Sequence, residues 1–69
     1  MPYKSNEVLS KLLKIGFEKK RQSGSHIILR HNDGRQTYLS IHSKDIPEGT
    51  FRAILKQAGI TLEEFKNIK

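Results

Sequence analysis

The sequence predicts an α+β domain: a helix, then a three-stranded antiparallel sheet, then helices, an α-β-β-β-α order with a short extra helix at the C-terminus. Three observations predict it. Apolar residues recur at helical spacing twice, at Val8, Leu9, Leu12 and Leu13 and again at Phe51, Ile54, Leu55 and Ala58. Between these segments, the runs His26–His31 and Arg35–His42 read as strands and flank an Asn32-Asp33-Gly34 turn. The 69 residues suffice for one domain with one small core.

Ser5 is expected to cap the first helix, because its hydroxyl can satisfy a backbone N–H of the first turn. Gly16 should stop that helix in a left-handed conformation, with Phe17 packing back on Leu12. Phe17–Gln22 is polar but plausibly extended and reads as the first strand, closed by a Ser23-Gly24-Ser25 turn. The second and third strands can be registered by parity. Ile27 and Leu29 share one face, as do Thr37, Leu39 and Ile41, and the two sets meet only across a loop with an odd number of residues. Asn32-Asp33-Gly34 with Gly34 left-handed meets that condition. It sets Leu29 opposite Thr37 and Ile27 opposite Leu39, and on the other face Ile28 opposite Tyr38 and His26 opposite Ser40. His42 becomes a diagonal neighbour of His26, about 7–8 Å away in regular strands. Pro47 marks the start of a helix that runs to Ala58 and stops at Gly59. Thr61-Leu62-Glu63-Glu64 is a capping box that opens a last short helix with Phe65 inward. With helices at both ends, one sheet face is covered, and His26, Tyr38, Ser40 and His42 lie on the open one.

Composition narrows the class. There is no cysteine, so neither a disulfide nor a thiolate zinc site can staple the chain. No apolar run approaches the roughly 18 residues of a membrane span, and no signal-peptide core follows the N-terminus, so a cytoplasmic protein without membrane attachment is expected. The formal net charge is +6. It is uneven: residues 1–31 carry seven Lys or Arg against two Glu, net +5, and residues 32–69 carry six against five, net +1. A polyanionic partner, nucleic acid or an acidic protein, is the natural reading.

The Lys19-Lys20-Arg21 run lies against Gly24-Ser25-His26. Alternation with the core residues Ile27 and Leu29 puts His26 outside. His26 and His31 differ by an odd number and so point to opposite faces; only His26 and His42 could meet, with no evident carboxylate as third ligand, so no metal site and no cofactor are expected. Two readings of the open face stay in play. In one it is a passive RNA contact, with Lys19, Lys20, Arg21 and Arg30 on phosphates and Tyr38 stacking on a base. The helix, three-strand, helix order is that of double-stranded RNA binding domains, but the lysine cluster those usually carry at the start of the last helix is replaced here by Pro47-Glu48-Gly49-Thr50-Phe51-Arg52. In the other it is catalytic. RNA carries its own nucleophile, the 2′-hydroxyl, and histidine, with an unperturbed pKa of about 6.5, exchanges protons at neutral pH. Neighbouring cations stabilise the developing negative charge, and Gly24 lets backbone approach a phosphate.

Four elements taken together resemble a known family: Leu12-Leu13-Lys14-Ile15-Gly16-Phe17, Arg21-Gln22-Ser23-Gly24-Ser25-His26, the histidine of Ser40-Ile41-His42, and Gly49-Thr50-Phe51-Arg52-Ala53-Ile54-Leu55-Lys56-Gln57-Ala58-Gly59-Ile60. In order and spacing they resemble the HicA toxins, or YcfA-like family, of bacterial HicA–HicB toxin–antitoxin modules. The resemblance implies a double-stranded-RNA-binding-like fold, ribonuclease action on mRNA, His26 as catalytic residue, and a HicB antitoxin that blocks the site. His42, Ser25 and Tyr38 are auxiliary candidates. The rival expectations are a non-catalytic RNA-binding domain and an inactive toxin relic kept as a protein-interaction module.

Overall fold

A computed structural model describes residues 3–41 and 45–69, with elements α1 (Ser5–Lys14), β1 (Glu18–Ser23), β2 (His26–Arg30), β3 (Gln36–Ser40), α2 (Glu48–Ala58) and α3 (Leu62–Lys66). The three strands form one antiparallel sheet in the order β1-β2-β3. The α-β-β-β-α order is as the sequence predicts.

The start of α1 departs from expectation. Ser5 is not the cap but the first helical residue, fully buried, and the N-cap is Lys4 in an extended conformation. The cause is tertiary. Lys4 bridges Asp45 in antiparallel fashion, the Ile46 N–H donates to the Tyr3 carbonyl (2.8 Å), and the Lys4 ammonium lies 3.1 Å from the Asp45 carboxylate. The chain is thus held extended through Lys4, and the helix opens one residue later. The other end of α1 closes as predicted: Phe17 N–H donates to the Leu12 carbonyl and Gly16 N–H to that of Leu13 around Gly16 at φ +106°, a Schellman stop.

The β2–β3 hairpin has the predicted register: His26 opposite Ser40, Ile27 opposite Leu39, Ile28 opposite Tyr38, Leu29 opposite Thr37. Its loop is the three-residue one, with Gly34 at φ +97° and hydrogen bonds His31 N–H to Arg35 O (2.8 Å) and Gly34 N–H to His31 O (2.9 Å). β1 is exposed throughout and carries a β-bulge: Lys19 pairs with Leu29 but Arg21, not Lys20, pairs with Ile28.

All helices pack on one sheet face. Ile27, Leu29 and Leu39 join Val8 and Leu12 of α1, Phe51, Ile54, Leu55 and Ala58 of α2, and Phe65 of α3 in a single cluster. Full burial of side chains such as Leu29 stabilises by about 1.5–3 kcal/mol each. Tyr3 closes one end of this core, stacked on Phe51 (centroids 4.8 Å) and edge-on to Phe65 (5.1 Å). α2 begins after Pro47 and ends at left-handed Gly59; α3 opens with the Thr61–Glu64 capping box.

Three further basic groups serve the fold. Lys11 donates to the Phe65 carbonyl (3.3 Å), its ammonium 4.8 Å from the Phe65 ring centre. Arg35 binds both carboxylate oxygens of Asp33 (3.0 and 2.8 Å), lies over the Phe17 ring and donates to the Ala58 carbonyl at the C-terminal end of α2, where a cation also meets the negative end of the helix dipole. His31 is half-buried. Its Nδ1 accepts from the Asp33 N–H (3.3 Å) and its Nε2–H donates to the Ile15 carbonyl at the end of α1 (3.1 Å), with the ring edge-on to Phe17.

Candidate functional site

The sheet face away from the helices is uncovered by any described element, and the hairpin geometry decides which side chains meet there. The bonds His31 N–H to Arg35 O and Ile41 N–H to Ser25 O (2.7 Å) mark hydrogen-bonded pairs at both ends of the hairpin. Counting inward, the pairs on the open face, Arg30–Gln36, Ile28–Tyr38 and His26–Ser40, are all of the non-hydrogen-bonded kind. In such pairs the Cα atoms approach to about 4.5 Å and the side chains lie closest. Two of the three make direct polar contact. Arg30 Nε donates to Gln36 Oε1 (3.1 Å), and Ser40 Oγ lies 3.2 Å from His26 Nδ1. The Gln36 Nε2–H then donates to Tyr38 Oη (2.9 Å), leaving the phenol proton to donate outward.

His26 is exposed, as expected from alternation. Its Nε2 has no hydrogen-bond partner among the described residues. Ser25 and Gly24 form the exposed turn just before it; Ser25 supplies the carbonyl that Ile41 binds, and beyond the chain neighbours of Gly24 nothing lies within 4 Å of where a Cβ would stand on it. Tyr38 is 57% exposed, so its ring is available for stacking. It forms part of one wall of a groove of about 360 Å³ beside β3, whose other wall includes Pro47, Thr50 and Ile54. His42 lies outside the described residues.

The basic run of β1 is divided by the bulge. Lys19, opposite Leu29, belongs to the helix-side face, where its ammonium reaches Gln22 (3.5 Å). Beyond the bulge, Arg21 opposes Ile28 and shares the open face with His26, Tyr38 and Arg30. Without the extra residue, period-2 alternation would set Arg21 beneath the sheet. Lys20 binds Glu18 on the Arg30 side (2.8 Å). That hydrogen bond, reinforced by the ammonium charge, holds the Glu18 carboxyl below the usual carboxylate range, so Lys20 brings its counterion with it. Arg21 has no side-chain partner among the described residues. The structure therefore gathers His26, Ser40, Tyr38, Arg21, Arg30 and the Lys20–Glu18 pair on one surface, and leaves Lys19 off it.

An exposed imidazole with one nitrogen held and the other facing solvent, on a sheet face that also carries two arginines, is suited to proton transfer beside an anion. No group of three or more His, Asp or Glu able to hold a metal ion forms among the described residues.

The family model of the HicA toxin of bacterial toxin–antitoxin systems matches residues 5–60. The chain belongs to the HicA toxin family. Comparison with curated proteins gives no match. The matched segment runs from the first residue of α1 to just past α2 and so contains the whole sheet and His26; Tyr3 and α3, which close the aromatic end of the core, lie outside it. As a member of the HicA family, the chain is a toxin of a toxin–antitoxin system with an antitoxin partner. No helix among the described residues is long and apolar enough to cross a membrane.

Sequence reasoning placed Ser40 on the open face but did not single it out. The signal was present: it stands directly opposite His26 once the hairpin parity is known. The long-range duties of His31, Arg35 and Lys11 have no local signal, since the carbonyls they bind lie 16, 23 and 54 residues away.

Proposed function

We propose that this chain is an endoribonuclease that cleaves mRNA by metal-independent transesterification, with His26 as the catalytic residue. The 2′-oxygen of the substrate attacks the adjacent phosphorus, the bond from phosphorus to the 5′-oxygen breaks, and the products carry a 2′,3′-cyclic phosphate and a 5′-hydroxyl. The 2′-hydroxyl proton leaves to a base and the departing 5′-oxygen gains one from an acid; His26 serves one of these steps through its outward nitrogen. Arg21 and Arg30 contact the phosphates and oppose the charge that develops on the phosphorane, and Tyr38 offers a ring for a neighbouring base. A HicB-like antitoxin neutralises the toxin by covering the open face. An acidic partner gains association rate there by electrostatic steering and excludes RNA by occupancy.

The observation that carries this reading is His26 itself: in a HicA-family chain, the one histidine described on the open face is exposed, anchored at Nδ1 and shares that face with Arg21 and Arg30. The test is incubation of the purified protein and its His26→Ala variant with labelled single-stranded RNA in EDTA. Cleavage by the wild type alone, with cyclic-phosphate ends, is expected. RNA left intact by both, with salt-dependent binding retained, would replace this reading by a passive RNA-binding one. A complex with the antitoxin that left His26 open to RNA would refute inhibition by covering.

A further inference from the structure

We propose, resting on the ribonuclease reading, that Ser40 is a positioning residue for His26: its hydroxyl holds Nδ1 of the imidazole and so makes Nε2 the nitrogen that exchanges the proton with RNA.

The contact is a consequence of the hairpin. His26 and Ser40 are directly opposed in a non-hydrogen-bonded pair, where side chains approach most closely. The register that opposes them is enforced on both sides. Ile27 and Leu39, the next pair inward, are buried in the core, and Ser25 and Ile41, the next pair outward, are joined by a 2.7 Å backbone bond. A slip of β3 by one residue would turn Leu39 out of the core, so the buried pattern that stabilises the sheet also keeps Ser40 opposite His26, where Oγ lies 3.2 Å from Nδ1. Ser40 Oγ has no other partner among the described residues, so its hydrogen-bonding capacity is directed at the histidine.

A hydroxyl suits this position because it works in both protonation states of a proton-transfer cycle. It has one donor and two acceptor sites. When Nδ1 carries hydrogen, the hydroxyl accepts it and the Nε2 lone pair faces the substrate. When Nε2 gains a proton, the ring becomes an imidazolium with hydrogen on both nitrogens, and the same bond from Nδ1–H to Oγ becomes charge-assisted. The ring need not turn between the two states. An unanchored histidine at the end of an exposed strand would spend its time among several rotamers, and only part of the population would present Nε2 to the phosphate. Ser40 acts through the ring.

The discriminating substitutions are Ser40→Thr and Ser40→Val. They have nearly the same shape and the same β-branching, and only threonine keeps the hydroxyl. Two measurements are made on wild type and both variants. The first is the ring ¹⁵N chemical shifts and tautomer of His26 by long-range ¹H–¹⁵N NMR, which needs no RNA and no activity. The second is the kcat and KM of RNA cleavage. The expected result is that Ser40→Val changes the His26 tautomer distribution and lowers kcat by about 10-fold or more with KM little changed, while Ser40→Thr retains wild-type values on both counts. Identical His26 spectra in wild type and Ser40→Val overturn the proposal, as does an equal loss in both variants. If the wild type leaves RNA intact, the ribonuclease reading fails by itself. The NMR comparison still decides whether Ser40 holds His26: a change in Ser40→Val that Ser40→Thr does not show supports it, and no change overturns it.

Discussion

Replacement of Gly16 by alanine tests whether the end of α1 is held by the cross-chain contact of His31 as well as by local chain geometry. Gly16 has φ +106°, a region that L side chains avoid. A Cβ there would also lie 2.7 Å from His31 Nε2 and 3.2 Å from Cδ2, inside contact distance. Gly34 supplies the control: φ is +97° and nothing lies within 4 Å of the site of its Cβ. Gly34→Ala therefore reports the backbone cost alone, about 1–2 kcal/mol. Gly16→Ala adds the displacement of His31, which loses its hydrogen bond to the Ile15 carbonyl, about 1 kcal/mol, and disturbs its edge-on contact with Phe17, about 0.5–1 kcal/mol. The sum is about 3 kcal/mol. For a chain whose total stability by size is on the order of 3–10 kcal/mol, that is a large fraction. At about 4–8 °C per kcal/mol, Tm falls by about 12–24 °C. Urea unfolding of wild type, both alanine variants, His31→Ala and the Gly16→Ala/His31→Ala pair measures the terms. In the His31→Ala background the excess of Gly16→Ala over Gly34→Ala should vanish, because the clashing ring is gone. A Gly16→Ala cost no larger than that of Gly34→Ala, or an excess that survives removal of the His31 ring, would refute the reasoning.

In a His26→Ala background, Arg21→Gln and Arg30→Gln should each reduce the slope of log K for single-stranded RNA against log[salt] by about 0.7, whereas Lys56→Gln on the helical side should leave it unchanged; fluorescence anisotropy across a salt series reads this. Asp33 has its carboxyl held below the usual range, first by the hydrogen bond from the Arg35 side chain, then by that from the Arg35 backbone N–H. A lowered folded-state value adds stability above about pH 4 that is lost as pH falls through it, so Asp33→Asn should flatten the decline of Tm below about pH 4. Thr37 is fully buried and donates to Gln57 (2.7 Å). Thr37→Val loses about 1 kcal/mol for that bond and gains about 0.8 kcal/mol from a buried methyl, with Gln57 free to turn to water, so denaturation should show a change within about 0.5 kcal/mol. Leu29→Ala, in the same core, should cost about 3 kcal/mol.

Much of the fold was legible because its signals are local and periodic. Two apolar helical stripes, a Schellman stop at Gly16–Phe17, the Thr61–Glu64 box and a hairpin whose loop parity matches its apolar alternation left little freedom. The same parity sets His26 opposite Ser40 on the exposed face. The start of α1 differs by one residue from what Ser5 suggests because Lys4 is held extended by Asp45, about forty residues on, and no property of Ser5 reveals that.

What the sequence by itself determined, then, is the order of elements, the hairpin register, the face on which His26 stands and, through its motifs, the family. Tertiary structure decided the rest. The bulge in β1 has no sequence signature, because a strand of six exposed polar residues carries no apolar alternation to set its register; pairing with β2 alone assigns Arg21 to the face of His26 and Lys19 to the other. The cations divide in the same way. Lys11 and Arg35 are consumed by carbonyls and aromatic rings at the ends of helices, while Arg21 and Arg30 remain on the sheet face of the histidine. Composition counts them all alike; only long-range packing separates the charges that hold the fold from those that can meet RNA.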